Sequence, residues 1–122
     1  MGAGSGGGYA SSPSSAAAFN QNIERLGSKF PRDQQGRFGR PGRRPGVHIV
    51  RTPDPGKTAK QFYDTLGSGG VEKPLPGGKG WRSRFDDGSS VVYRPSSKSG
   101  SPAVEITVNT AKGDRYKIHF EH

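Results

Sequence analysis

Cysteine is absent from the chain, so it has no disulfide framework, no thiolate nucleophile and no cysteine-based zinc site. Apolar residues are scarce, at 28% of 122 positions, and no apolar run nears the roughly 18 residues that a membrane span requires. The opening stretch MGAGSGGGYASSPSS lacks the basic start and apolar middle of a signal peptide, so export would need a larger carrier. No Gly-Lys-Ser/Thr motif opens a helix, which disfavours nucleotide hydrolysis on a phosphate loop. Carboxylates are also few: Lys and Arg outnumber Asp and Glu by 19 to 10, for a formal charge of +9. Such an excess favours a polyanionic partner, whether nucleic acid, anionic lipid or an acidic protein.

What is plentiful is glycine (20) and proline (10), which leaves room for one small domain and a long tail. Residues 1–45 read as a flexible Gly/Ser- and Arg-rich linker. Within it Phe19, Ile23 and Leu26 predict a short helix over 16–26, capped by Ser14 or Ser15 and stopped by Gly27. The following PRDQQGRFGRPGRRPG predicts a cationic arm without regular structure.

The folded domain is expected over residues 46–122. VHIVR (47–51) has the β-branched content of a short strand. The segment after it predicts a helix capped by Thr52 or Asp54, with Ala59, Phe62, Tyr63 and Leu66 on one stripe and Gly67 as the stop. After a loop, VEKPLPGGKG, come WRSRF and SVVYR joined by Asp-Asp-Gly-Ser, then AVEITVN and RYKIHFE around a Lys-Gly-Asp turn. The expected class is α+β, with helix packed on a four-stranded antiparallel twisted sheet.

Strict alternation in the last two strands sorts their side chains. Val104, Ile106, Val108, Tyr116, Ile118 and Phe120 take one side, and Glu105, Thr107, Asn109, Arg115, Lys117 and His119 take the other. Arg82 and Arg84 join the second group if Trp81, Ser83 and Phe85 face the helix; strand 90–94 presents either Val92 and Arg94 or Val91 and Tyr93. A five-residue connection from Thr110 to Asp114 would place Glu105 directly opposite His119, about 5 Å away at Cβ. This is a set for RNA cleavage by its own 2′-hydroxyl, which needs a base, an acid and cations for the phosphorane. His119 is the candidate acid or base, and Glu105 the complementary base or the group that orients the imidazole. Lys117, Arg115, Arg82 or Arg84 would hold the phosphate. His48 is a candidate second histidine, opposite in direction to Val47 and Ile49. The loop RPSSKSGSP, with Arg94, Ser97, Lys98 and Ser99, suits a phosphate cradle. No metal and no cofactor is called for by this set. Trp81 and Tyr93 are candidate base-stacking residues if exposed.

The stretch GGKGWRSRFDDGSSVVYRPSSKSGSPAVEI, continued in YKIHF, resembles the C-terminal toxin modules of bacterial polymorphic and contact-dependent toxins, many of which look like barnase and colicin nucleases. The resemblance covers roughly residues 46–122 and is one of pattern, without a complete signature for the active residues. It implies an endoribonuclease acting on RNA, often tRNA, and leaving a 2′,3′-cyclic phosphate. It further implies a cognate immunity protein bound one to one on an otherwise monomeric module. Secretion as the tip of a carrier, and action in the cytoplasm of a target cell, are implied in the same way. The rival reading from the residues is a non-catalytic basic module that holds nucleic acid by phosphate contacts alone.

Overall fold

Four apolar positions after Asp54 organise the architecture. In the computed structural model, which describes residues 15–98, 100–109 and 114–122, Ala59, Phe62, Tyr63 and Leu66 form the buried stripe of helix α2, Pro55–Leu66. Asp54 accepts from the Lys57 N–H at 3.2 Å, Pro55 sits in the first turn where no N–H is needed, and Gly67 ends the helix. Helix α1, Ser15–Gly27, packs beside α2. Its buried Asn22 amide donates to the carbonyls of Leu66 (2.9 Å) and Ser68 (2.8 Å), satisfying the last turn of α2 from outside.

Beneath the helices lies one seven-stranded mixed sheet. In chain order its strands are β1 (Arg40–Pro41), β2 (Val47–Arg51), β3 (Val71–Pro74), β4 (Trp81–Arg84), β5 (Ser90–Arg94), β6 (Ala103–Val108) and β7 (Asp114–Glu121). Their order across the sheet is β1-β2-β7-β6-β5-β4-β3, antiparallel throughout except for the parallel pair β2 and β7. The helix side of the sheet buries Val91, Val104, Ile106, Ile118 and Phe120. Phe62 meets the rings of Phe30, Phe38 and Phe120 at centroid distances of 5.3, 5.3 and 5.6 Å, and Phe19 meets Phe85 at 4.8 Å. Removal of such rings from water is the main stabilising term in a domain of this size.

The α+β class stands, but the expected four-stranded antiparallel sheet is only its centre, β4 to β7. On one side β3 is added by VEKP, which lacks alternation and ends in a proline; as an exposed edge strand it needs neither an apolar face nor a full set of N–H donors. On the other side β2 joins β7 in parallel, a pairing between distant segments that leaves no local signal.

The segment 15–45 is not a linker. Phe19, Leu26 and Phe38 lie in the same buried cluster as the residues after 46. The Arg-rich stretch is likewise pinned rather than free: Asp33 accepts from the N–H groups of Gln35 (2.8 Å) and Arg37 (3.0 Å), Arg37 pairs with Asp114, and Phe38 N–H donates to the Tyr116 hydroxyl at 3.0 Å. Gly80 opens β4 at φ +147, where any Cβ would collide with the Tyr93 carbonyl. The expected cap Ser14, the tether before it and the turn from Thr110 to Gly113 lie outside the described residues.

Candidate nucleic-acid interface and active site

Helices cover one face of the sheet, so alternation sends every second side chain to the uncovered face. Cross-strand pairing lays these out in transverse rows. One row runs Val47, Lys117, Glu105, Val92, Arg82, Lys73 from β2 to β3. On one side of it runs Arg115, Thr107, Ser90, Arg84, Val71, and on the other Ile49, His119, Ala103, Arg94. The open register of strand 90–94 is thereby fixed: Val92 and Arg94 face outward, while Val91 and Tyr93 are buried. Glu105, Thr107, Arg115, Lys117, His119, Arg82, Arg84 and Arg94 all share the uncovered face, as alternation predicts.

His119 is half-buried between Ile49 and Ala103, and Ser101 Oγ lies 2.8 Å from its Nδ1. The loop that supplies Ser101 is folded on itself by Ser97 N–H donating to the Ser101 carbonyl (3.0 Å) and Gly100 N–H to the Ser97 carbonyl (2.8 Å). When Nδ1–H donates to the serine hydroxyl, the ring is in the tautomer whose Nε2 is the basic nitrogen. Burial, and after it the positive charge of Lys117, lower the imidazole pKa below its ordinary 6.5; Arg44 acts in the same sense, Glu121 and Glu105 against it. The fold thereby favours the neutral imidazole. Glu105 is held by Arg94 Nε at 2.8 Å and faces Lys117 across the β6–β7 pair.

Two site expectations need correction. Glu105 does not stand opposite His119: the connection is 109–113, so Lys117 faces Glu105 and Ala103 faces His119. A shift of two residues keeps both groups on one face but makes them diagonal neighbours, about 7–8 Å apart at Cα. His48 does not join this face at all. It is 4% exposed on the helix side, its ring 5.1 Å from that of Tyr116, with Nδ1 buried and without a hydrogen-bond partner among the described residues. Val47 and Ile49, which alternate with it, are the residues that flank the open face.

Ser97 and Lys98 sit in the loop that carries Ser101; Ser99 lies outside the described residues. Neither aromatic base-stacking candidate faces the site. Tyr93 is buried against Tyr63, ring centroids 5.6 Å apart, and Trp81 is 42% exposed on the helix side. Sequence reasoning passed over the contact of Ser101 with His119, and the outward Val71 and Lys73 of β3. It also did not see that Arg44, from the Arg-rich stretch, lies close enough to act on His119. Serine richness of the loop hinted at the first; nothing local signalled the other two.

On the covered side, burial pushes the Tyr116 hydroxyl up to about 12, and its acceptance of the Phe38 N–H marks it as structural. A cavity of about 160 Å³ nearby is lined mainly by apolar groups, among them Ile23, Phe38, Leu66 and Ile106, and no residue of the open face reaches it. Among the described residues no group of three or more His, Asp or Glu is arranged to hold a metal ion, and no helix is long and apolar enough to cross a membrane. No protein-family model, curated protein or solved structure matches the chain.

Proposed function

We propose that the uncovered face binds RNA and cleaves it through the 2′-hydroxyl. The observation that supports this most is the adjacency of a half-buried imidazole, Lys117 and Arg115 on β7, with Glu105 beside them. His119 takes the proton of the 2′-hydroxyl as its oxygen forms a bond to phosphorus. The bond from phosphorus to the 5′-oxygen breaks, and that oxygen takes a proton from the Lys117 ammonium, which lies across the strand pair from Glu105. Arg115 and Lys117 carry the extra negative charge of the phosphorane. The product is a 2′,3′-cyclic phosphate and a free 5′-hydroxyl.

The sequence resemblance supports the remainder of the reading. It favours tRNA as substrate, a toxin module delivered at the tip of a carrier, and an immunity protein that neutralises it one to one. The antiparallel centre β4 to β7 under α2 is compatible with a barnase- or colicin-nuclease-like module. A non-catalytic RNA-binding module is the second reading, favoured by one contact: Arg94 already neutralises Glu105. Incubation of the purified protein with total tRNA, with and without EDTA, followed by sequencing of new ends, separates the two. Discrete cuts ending in cyclic phosphate, undiminished by EDTA, are expected; tRNA that is retained by the protein but left intact overturns the proposal in favour of the binder.

A further inference from the structure

The cations of the uncovered face differ in how they are engaged. Near β6 and β7, Arg94 is paired with Glu105, and Arg51 lies 3.9 Å from Glu121. At the β3–β4 end, Lys73, Arg82 and Arg84 have no ion-pair partner among the described residues. They are exposed and converge on an open groove of about 340 Å³, whose remaining walls are Val71, Phe85 and Asp86. One Asp86 oxygen accepts from the Ala16 N–H at the start of α1 (3.1 Å), so the one carboxylate among the groove's described residues is already engaged. Val71, 66% exposed, places an aliphatic surface among the three cations. A volume of this size lies at the small end of ligand sites.

Three unpaired cations around an apolar floor match one nucleotide, its phosphate on the guanidinium and ammonium groups and its base on Val71. We infer that this groove is a subsite for an unpaired nucleotide remote from the scissile bond, so that the substrate is a single strand crossing the sheet from β7 to β3. Only an unstacked strand has a base to give; a duplex keeps its bases inside. Four strand spacings separate Lys117 from Lys73, about 19 Å. At a stacked rise of ~3.4 Å that distance would take about five or six nucleotides, and an unstacked, extended strand covers it with fewer. The inference rests on reading the uncovered face as an RNA surface, and is independent of whether His119 performs chemistry there.

The test uses a 10-nucleotide 2′-O-methyl RNA, whose blocked 2′-oxygen keeps it uncut, with binding read by fluorescence anisotropy across a salt series. The triple variant Lys73→Ala, Arg82→Ala, Arg84→Ala is expected to lose affinity at least tenfold. Its salt slope should fall by about 0.7, for the one phosphate the groove neutralises. The control Arg25→Ala, Lys29→Ala removes two exposed cations from the helical side and should leave affinity within twofold. A 4-thiouridine version of the strand, photo-crosslinked to the unmodified protein, should mark the peptide containing Val71 and Lys73. Wild-type affinity in the triple variant, an equal loss in the control, tighter binding of the matching duplex, or crosslinks elsewhere would each overturn the subsite. If the subsite results hold and unmodified RNA is never cut, the groove stands and the cleavage chemistry of the previous section falls.

Discussion

One sheet presents two faces built to opposite rules. The covered face carries Val91, Val104, Ile106, Ile118 and Phe120, which are buried and interlocked with the aromatic rings of α2. The uncovered face carries cations, hydroxyls, one imidazole and few carboxylates, arranged in rows by the same strand pairings. Side chains under the helices determine whether the chain folds, and those in water contribute little to that. Substitutions should accordingly separate stability from activity according to the face they strike.

Phe62→Ala is the strongest test of this separation. It removes a ring that touches Phe30, Phe38 and Phe120, and urea unfolding should show a loss of about 3–5 kcal/mol. Arg115→Ala, on the other face, should stay within about 0.5 kcal/mol of wild type in the same assay. Next in size is Asn22→Leu, which strands the carbonyls of Leu66 and Ser68 at the end of α2; a loss of about 1–3 kcal/mol is expected. A cost no greater than that of Arg115→Ala in either case would erase the contrast between the faces.

Smaller effects arise from titration. The fold lowers the pKa of His119 below 6.5, so the folded protein binds this proton less readily than the unfolded chain does. Stability attributable to His119 is thus fully present above pH 6.5 and falls as pH drops from there through the folded pKa. An NMR titration should place His119 below 6.5, and Lys117→Ala should move it upward because a neighbouring positive charge is removed; an unchanged value would contradict the electrostatic coupling along β7. Smallest of all is Lys60→Ala. The Lys60–Asp64 pair at 2.7 Å is solvent-exposed on α2, and its loss should cost no more than about 0.5 kcal/mol in thermal unfolding.

Much of this was legible in the sequence wherever the periodicity of a segment has one reading. The α2 stripe and its Asp54 cap are local signals, and the alternation of β6 and β7 assigned their residues to the correct faces. Register was not legible. A slip of two residues in the last hairpin leaves every side chain on its face, so alternation cannot detect it, yet it replaces His119 by Lys117 as the partner of Glu105. His48 was misplaced for a related reason. VHIV is apolar at 47, 49 and 50, so it fits either orientation, and only the pairing with β7 decides that His48 and Val50 turn inward. Docking of α1, and with it the incorporation of 15–45 into the core, depends on complementarity with Phe85 and Leu66, which no local pattern encodes.

The decisive comparison is between cleavage and binding in His119→Ala. The substitution should slow cleavage of tRNA by a factor of about 10²–10⁴, the usual contribution of a general base, while the uncut 2′-O-methyl strand is bound with wild-type affinity. Cleavage at the wild-type rate in this variant would contradict the assignment of the reaction to the uncovered face.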